Sequence, residues 1–249
     1  MSNYALPAGV WRREAKAEIT RSLRLPQFLV PTVLTPAAFF ALFALALNKS
    51  SPEAATVMLA GYGVFAATGP ALFGFGAGVA MEREQGLIEL KRVSPLPAGA
   101  YVAAKLAAAL FATALAMVLI DATALIAGVR LPILGWAELT AISLASTLPY
   151  ALLGFGLGMR MSGKGAVAAA NALYLGSAIL GGLWVPSAML PGWMRTLGQF
   201  VPSYHLGQLA QAVVDPAKGG ASPSHAAIVA GMTLATGVWA WAGWRRSAA

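Results

Sequence analysis

The sequence predicts an all-α polytopic membrane protein with six transmembrane helices. Of its 249 residues, 58% are hydrophobic and only 10% are charged, whereas a soluble domain carries roughly 25% charged residues. Several uncharged stretches reach about twenty residues, the length that an α-helix needs to cross the hydrocarbon core of a bilayer. These stretches are continuously apolar, which excludes the alternating pattern of a transmembrane β-barrel. The whole chain, 1–249, is predicted to be one transmembrane domain.

Basic residues divide unequally between the two sides of the predicted membrane. The six spans are predicted at residues 27–47, 56–80, 100–128, 137–159, 166–186 and 225–244. With a cytoplasmic N-terminus, the outer side carries only four of the 17 Lys and Arg residues, namely Lys49, Arg130, Arg195 and Lys218. This positive-inside bias predicts that both termini are cytoplasmic. The net charge of +8 therefore reflects membrane topology, and no nucleic-acid partner is expected.

Residues 10–24, ahead of the first span, are predicted to form an amphipathic helix that lies in the membrane interface. Trp11, Ala15, Ile19 and Leu23 recur at every fourth position and so form one apolar stripe. The other faces carry basic and polar side chains, namely Arg12, Arg13, Lys16, Thr20, Arg21 and Arg24. This distribution is typical of a helix in the headgroup region of a bilayer. A short soluble helix is the alternative.

The segment 187–224, on the predicted outer side, is too apolar for a free linker. Its stretches 188–194 and 206–214 are nearly uncharged, and each is too short to cross a bilayer. Prolines separate the stretches. We therefore expect short re-entrant or interfacial helices before the last span.

Two similar glycine-rich stretches, 72–78 and 153–158, each close a predicted span on its cytoplasmic side. Glycines two and four residues apart let the backbones of membrane helices approach closely, so helix packing is the expected role. A dinucleotide-binding fingerprint would need a preceding strand. A further pattern, G-x-x-x-x-G-K from Gly158 to Lys164, continues with Gly165 instead of the Ser or Thr that holds magnesium. ATP hydrolysis by this chain alone is therefore not expected.

The candidate residue of a translocation path is Asp121, the only acid well inside a predicted span. An ionisable side chain at that depth is a functional candidate, because burying it without a partner is costly. The alternative is that Asp121 faces a wet outer vestibule or caps polar groups of a neighbouring helix. His205 and His225 have no acid or histidine nearby at a metal-binding spacing, so both are expected to be ordinary loop residues. With no cysteine, neither thiol chemistry nor a zinc–thiolate site is expected.

The segment 81–98, between the second and third spans, carries a dense group of charges that cannot lie in lipid. The second span is expected to continue as a helix into this segment and to be interrupted at Gly86. A short helix is expected next, with an apolar side formed by Leu87, Ile88 and Leu90. A stiff helical extension followed by a small helix suits docking to a soluble partner. A solvated loop with ordinary charges is the alternative.

The same segment matches an ordered pattern, E-R-E-x-G-T-L-E-x-L-x-x-S-P-L, that is followed by G-K-L at the start of the next span. The matching residues are Glu82, Arg83, Glu84, Gly86, Glu89, Leu90, Ser94, Pro95 and Leu96, with Lys105 and Leu106 in the later element. Leu87 replaces the usual Thr, and Ala104 replaces the usual Gly. Residues 200–204 also resemble a proline–tyrosine element before the last span. With these motifs the chain resembles the type-2 ATP-binding-cassette (ABC) transporter permeases over nearly its whole length.

The resemblance implies the membrane subunit of an ATP-driven exporter in a bacterial inner membrane. Two permease copies, or two related chains, would pair in the lipid bilayer and bind two cytoplasmic ATPase subunits. ATP and magnesium would bind to the ATPase, so no cofactor, metal site or catalytic residue is expected on this chain. The implied contacts with the ATPase are Glu82, Arg83, Glu84, Gly86, Leu87, Glu89 and Leu90. Apolar and aromatic span interiors favour an amphiphilic substrate, such as a drug, a lipid or a lipid-linked glycan, over a small ion. Ordinary lipid-facing packing explains the same residues equally well.

Two other classes of membrane protein compete with this interpretation. A proton-coupled secondary transporter usually has discontinuous helices and several buried charges near the midplane. Pro70 and Pro149 could break helices, but the charges are missing. An intramembrane enzyme would need several polar catalytic residues at one depth, which Asp121 alone does not supply. A neighbouring gene for a P-loop ATPase would distinguish an exporter subunit from both.

Overall fold

The computed structural model of this protein is a bundle of helices, and it contains no β-strand in the residues that it describes. These residues are 8–47, 51–94, 97–185, 187–215 and 223–246. In chain order the helices are α1 (Ala8–Leu23), α2 (Pro26–Ala46), α3 (Pro52–Glu84), α4 (Leu87–Val93), α5 (Ala98–Ile126), α6 (Ile133–Gly158), α7 (Gly163–Leu180), α8 (Gly192–Gly198), α9 (Pro202–Val214) and α10 (Pro223–Arg246). Of the positions named above, Lys49, Pro95, Leu96 and Lys218 lie outside the described residues.

Five helices, α2, α3, α5, α6 and α10, are long and apolar enough to cross a membrane. They correspond to five of the six predicted spans and confirm a multi-pass helical membrane protein. The remaining predicted span, 166–186, lies on α7, which has 18 residues and ends at Leu180. α7 includes Lys164 and Asn171 and is not among the five. It packs against α3, α6 and α9, and its role as a sixth span stays a prediction.

α1 is the helix that the periodicity of residues 10–24 predicts, and it lies along α5. The ring of Trp11, from its apolar stripe, packs beside Gly99 at the start of α5. Only Arg24 and Leu25 separate α1 from α2, because Pro26 restarts the chain as a helix. α1 is therefore held close to the membrane spans, while its position in the interface stays a prediction.

α3 is the central helix of the bundle and packs against α5, α6 and α9. Ser51 caps its first turn by accepting a hydrogen bond from the Ala54 amide at 3.1 Å. Every residue from Leu59 to Leu72 is buried. Pro70 lies inside the helix, where it removes the hydrogen bond to the carbonyl of Ala66, and a π-helical segment, Leu72–Ala77, follows it.

The two glycine-rich stretches pack against each other, which confirms the predicted role in helix packing. α6 places Gly154 and Gly158 against the π-helical segment of α3. A Cβ atom at Gly158 would lie 2.7 Å from the Phe75 carbonyl oxygen and 2.8 Å from that of Gly76. A side chain does not fit at these separations, so the close approach of the two helices depends on glycine.

In its described residues, 187–215 and 223–224, the predicted outer segment contains two short helices, α8 and α9, and a 3₁₀ turn at Ser187–Met189. Buried hydrogen bonds fix α9 to the bundle. The Ser203 amide donates to the Tyr150 hydroxyl of α6 at 3.0 Å, and the Ser203 hydroxyl donates to the Ser177 carbonyl of α7 at 2.9 Å. The helices are thus part of the packed structure, and their re-entrant position in a membrane stays a prediction.

Candidate functional site

The charged residues of the segment 81–98 lie at one end of the bundle, together with α1 and the turn 159–162. We call this end the charged end. At its centre is the carboxylate of Glu82, in the last turn of α3, which is 2% exposed. It accepts hydrogen bonds from the Tyr101 hydroxyl at 2.7 Å and the Lys105 ammonium at 3.0 Å, and it pairs with Arg21. Helices α1, α3 and α5 therefore meet at this carboxylate.

Two further ion pairs fasten α1 to the same end. Glu18 accepts from Lys105 at 2.7 Å, and Glu14 pairs with Lys91 of α4. Glu14, Glu18 and Arg21 are spaced four and three residues apart, so they share one face of α1. We call the whole group the ion cluster; its members are Glu14, Glu18, Arg21, Glu82, Lys91 and Lys105. It balances three negative charges with three positive charges.

Because the centre of the ion cluster is buried, its positive and negative charges must compensate each other. Burial lowers the pKa of the Arg21 guanidinium, but the nearby Glu82 carboxylate raises this pKa by more. The pKa therefore lies above its ordinary value, and Arg21 keeps its charge. Lys105 is 5% exposed and depends on Glu18 and Glu82 for compensation. Removing one partner of a buried ion pair typically costs about 3–5 kcal/mol, because the other charge is left uncompensated. The ion cluster therefore acts as one unit.

The chain reverses direction after α3 at Gly86, whose φ of 71° lies in the left-handed region that glycine adopts without strain. α4 follows and buries Ile88. Its other apolar residues face outward: Leu90 is 64% exposed and Val93 is 83% exposed. Glu89 beside them is exposed as well. α4 thus presents an apolar surface with an acidic neighbour, as the sequence predicts for Leu90, whereas Leu87 is half-buried.

Arg83 connects α3 to the turn between α6 and α7. Its guanidinium donates to the carbonyl oxygens of Met159 and, at 2.8 Å, Met161. This turn belongs to the G-x-x-x-x-G-K stretch, which here ends one helix and starts the next. The Ser162 hydroxyl accepts from the Gly165 amide at 3.2 Å as the cap of α7. The stretch therefore closes a helix–turn–helix and does not follow a strand, as a phosphate-binding P-loop would.

The seven predicted ATPase contacts separate into two groups. Glu82 and Arg83 point inward and bind residues of this chain. Glu84, Gly86, Glu89 and Leu90 are exposed and Leu87 is half-buried, so these five line the outer surface of the charged end. Sequence reasoning missed Glu14, Glu18 and Tyr101 as partners in this site. The spacing of acids on one face of α1 was a signal for the first two.

Asp121 lies elsewhere, on α5 and sixteen residues beyond Lys105, which corresponds to about 24 Å along a helix. Its Oδ1 atom is shielded from solvent and has no hydrogen-bond partner among the described residues. The same holds for the Tyr62 hydroxyl and the Trp184 indole nitrogen. Asp121 is thus separate from the ion cluster, and its role in a translocation path stays a prediction.

The expectation for the two histidines was wrong, because the fold brings them together. The Nδ1 atoms of His205 and His225 lie 2.8 Å apart, and the Nε2 atom of His205 lies 2.9 Å from the Gln199 carbonyl oxygen. Since a carbonyl only accepts, Nε2 of His205 carries hydrogen and, in the neutral pair, His225 donates from Nδ1. The described residues contain no group of three or more His, Cys, Asp or Glu side chains that could hold a metal ion.

The bundle of membrane-crossing helices and the helix anchored at its charged end define a multi-pass helical membrane protein. The sequence model of the ABC-2 type transporter family matches residues 11–214, a range that includes the charged end and helices α2 to α9. This chain therefore belongs to the ABC-2 type transporter family. It is a permease, the membrane subunit of an ABC transporter, and is not itself the ATPase.

A similar protein is "Putative transport permease YvfS" of Bacillus subtilis (strain 168). The two chains are 29% identical over 209 residues, which span 82% of this chain and 85% of the relative. The similarity thus extends over most of both proteins. The relative's name identifies it with transport and gives no substrate.

Proposed function

We propose that this chain is the permease subunit of an ABC exporter and that a separate ATPase docks on α4. The observation that carries this proposal is the exposed apolar surface of Leu90 and Val93 at the charged end. This position lies in a segment with basic and acidic neighbours, so lipid chains do not cover it. An apolar anchor with charged surroundings is typical of a protein–protein contact.

The contacts of α4 support a mechanical role in coupling. Lys91 joins α4 to Glu14 of α1, and α1 is joined through the ion cluster to α3 and α5. Arg83 joins the end of α3 to the turn before α7. A displacement of α4 by the ATPase therefore acts on several spans together. ATP and magnesium bind to the ATPase in this proposal.

The proposed orientation places the charged end in the cytoplasm, since basic residues prefer that side of the bacterial inner membrane. The proposed direction, outward, rests on the resemblance of the segment 82–96 to exporter permeases. Two copies of this chain, or this chain and a related one, form the transport path. Its substrate is an amphiphile, because the spans offer apolar and aromatic side chains and few buried charges.

Docking is tested by purifying the ATPase together with the permease. In the double variant Glu89→Lys/Leu90→Asn we expect the recovered ATPase to fall at least about tenfold, the effect of losing roughly 1.4 kcal/mol of binding free energy. Neither residue is buried, so the permease folds. The matched control is Glu53→Lys/Ile133→Asn, which makes the same changes at exposed positions of the opposite end. Parental recovery of the ATPase with the first variant would contradict the proposal.

Asp121→Asn is expected to lower export while leaving ATPase recovery unchanged. The substitution keeps the size of the side chain and removes its charge, and the position is about 24 Å from Lys105 along α5. The measurement is substrate efflux from vesicles at equal amounts of assembled complex. Efflux at the parental rate would assign Asp121 a structural role only.

A further inference from the structure

A cavity of about 610 Å³ opens at the charged end between α1, α2, α3 and α7. The lining of the cavity is apolar at one end and charged at the other. Phe28, Phe73 and Val167 form an apolar wall on the membrane side, while Arg21 lies at the mouth. A volume of this size is in the range of sites for small ligands, about 300–1,000 Å³. A molecule that fills it would need an apolar body and a polar head.

Two carboxylates, Glu18 and Glu82, and two cations, Arg21 and Lys105, line the cavity, so the charge of its lining is balanced. Both carboxylates are already occupied by partners in the ion cluster. Arg21 uses only its Nη1 atom for Glu82, and its side chain is 48% exposed. Its Nη2 and Nε groups therefore remain as donors, with no partner among the described residues. A guanidinium edge of this kind binds phosphate or carboxylate oxygens in pairs.

A basic groove on α1 continues from the mouth and shares Arg21 with the cavity. Arg13, Lys16 and Arg24 line this groove. Within the described part of the chain, no carboxylate lies within ion-pair distance of these three side chains, in contrast to the opposite face of α1. Unpaired cations at a bilayer surface attract anionic headgroups.

We propose that the cavity and the basic groove form one binding site for an anionic amphiphile of the cytoplasmic leaflet. The headgroup contacts Arg21, Lys16 and Arg24, and the hydrocarbon chain lies against Phe28 and Phe73. A cationic amphiphile would meet Lys16 and Arg24 of the groove, which have no carboxylate within ion-pair distance among the described residues. The inference rests on the proposed export function, because it names the class of the substrate and the place where it is captured.

Binding is measured with radiolabelled hexadecyl phosphate and the intact chain in phosphatidylcholine nanodiscs, with empty nanodiscs as background. We expect saturable binding that hexadecyl phosphate itself displaces. Neither inorganic phosphate nor hexadecyltrimethylammonium should displace it, since the site needs both a chain and an anionic head. Equal displacement by the ammonium compound, displacement by free phosphate, or no saturable binding would each overturn the proposal.

Two variants locate the site. At Gly74, which lines the cavity, an added Cβ meets only the Phe28 ring at 3.8 Å, so Gly74→Leu fills the cavity without a backbone clash. Its control is Gly176→Leu, where an added Cβ meets nothing within 4 Å. Lys16→Gln/Arg24→Gln removes two charges of the groove, and Arg245→Gln/Arg246→Gln removes two exposed charges outside it.

The dissociation constant should rise at least about tenfold in Gly74→Leu and in the groove variant and stay within about twofold in both controls. The proposal would be overturned if Gly74→Leu bound hexadecyl phosphate with the affinity of the parent. It would also be overturned if light scattering showed a changed number of subunits without a change of affinity. Either result would indicate that a second copy of the chain covers this surface. ATPase recovery is measured on the same samples. If the parent chain binds hexadecyl phosphate but no ATPase is purified with it, the result supports this binding site and contradicts the docking proposal.

Discussion

Replacing Glu82 by lysine is expected to prevent the protein from accumulating in a folded form. The new ammonium would lie beside Arg21 and Lys105 in a site where Glu82 is 2% exposed. Losing the carboxylate leaves buried positive charge uncompensated, at a cost of about 3–5 kcal/mol, and a third cation adds repulsion. The total approaches the whole stability of a typical domain, about 5–15 kcal/mol. The measurement is the yield of monodisperse protein in detergent and its thermal unfolding midpoint.

Two companion variants make the interpretation of Glu82→Lys specific. Glu89→Lys makes the same charge change seven residues later at an exposed position of α4, so its yield and midpoint should match the parent. Glu82→Gln keeps an oxygen for the Tyr101 hydroxyl but loses the charge, so it should fall between the parent and Glu82→Lys. Equal midpoints for Glu82→Lys and Glu89→Lys would show that the ion cluster contributes no stability.

Gly158→Leu is expected to destabilise the bundle to a similar degree by a steric mechanism. Its Cβ would lie 2.7 Å from one carbonyl oxygen of α3 and 2.8 Å from another. These atoms belong to a buried backbone, so the two helices must separate. Overpacking a side chain in a core costs about 1–3 kcal/mol and occasionally more, and here the obstacle is main chain on a central helix. Thermal unfolding in detergent measures the loss.

Gly176→Leu is the control for this prediction, because it places the same side chain on a neighbouring helix where an added Cβ meets nothing within 4 Å. Its midpoint should stay close to that of the parent. An unfolding midpoint for Gly158→Leu that matches the control would mean that α3 and α6 are not in tight contact.

Features that repeat along the chain were predictable from sequence. Continuous apolar stretches predicted the membrane-crossing helices, and the four-residue spacing of Trp11, Ala15, Ile19 and Leu23 predicted α1. The break at Gly86 and a packing role for the two glycine-rich stretches followed from backbone chemistry, whereas only the fold shows that the two stretches contact each other. α7 is not among the helices that are long and apolar enough to cross a membrane, because Lys164 and Asn171 reduce its apolar character.

Contacts between distant residues were not predictable in the same way. Glu18 and Lys105 are 87 residues apart in the chain, and nothing in the local pattern distinguishes Glu82, which binds inward, from Glu89, which does not. The paired histidines show the same limit, because His205 and His225 belong to different helices that only the fold brings together. The sequence predicted that α4 has an apolar side, but it did not predict which apolar residue is buried. Ile88 is buried, whereas Leu90 faces outward.

The order in which the chain is synthesised determines when each ion pair of the ion cluster can form. Arg21 emerges from the ribosome before the first span, Glu82 after the second, and Lys105 at the start of the third. Before Glu82 is made, Arg21 has only Glu18 of its own helix as a neighbouring carboxylate, and cations beside a span add to the charge bias that orients it. Arg21 can pair with Glu82 as soon as the end of α3 has been made, whereas the pairs of Lys105 form only when α5 lies beside α1 and α3. Lys105 therefore completes the ion cluster last and joins α5 to two helices that are already connected.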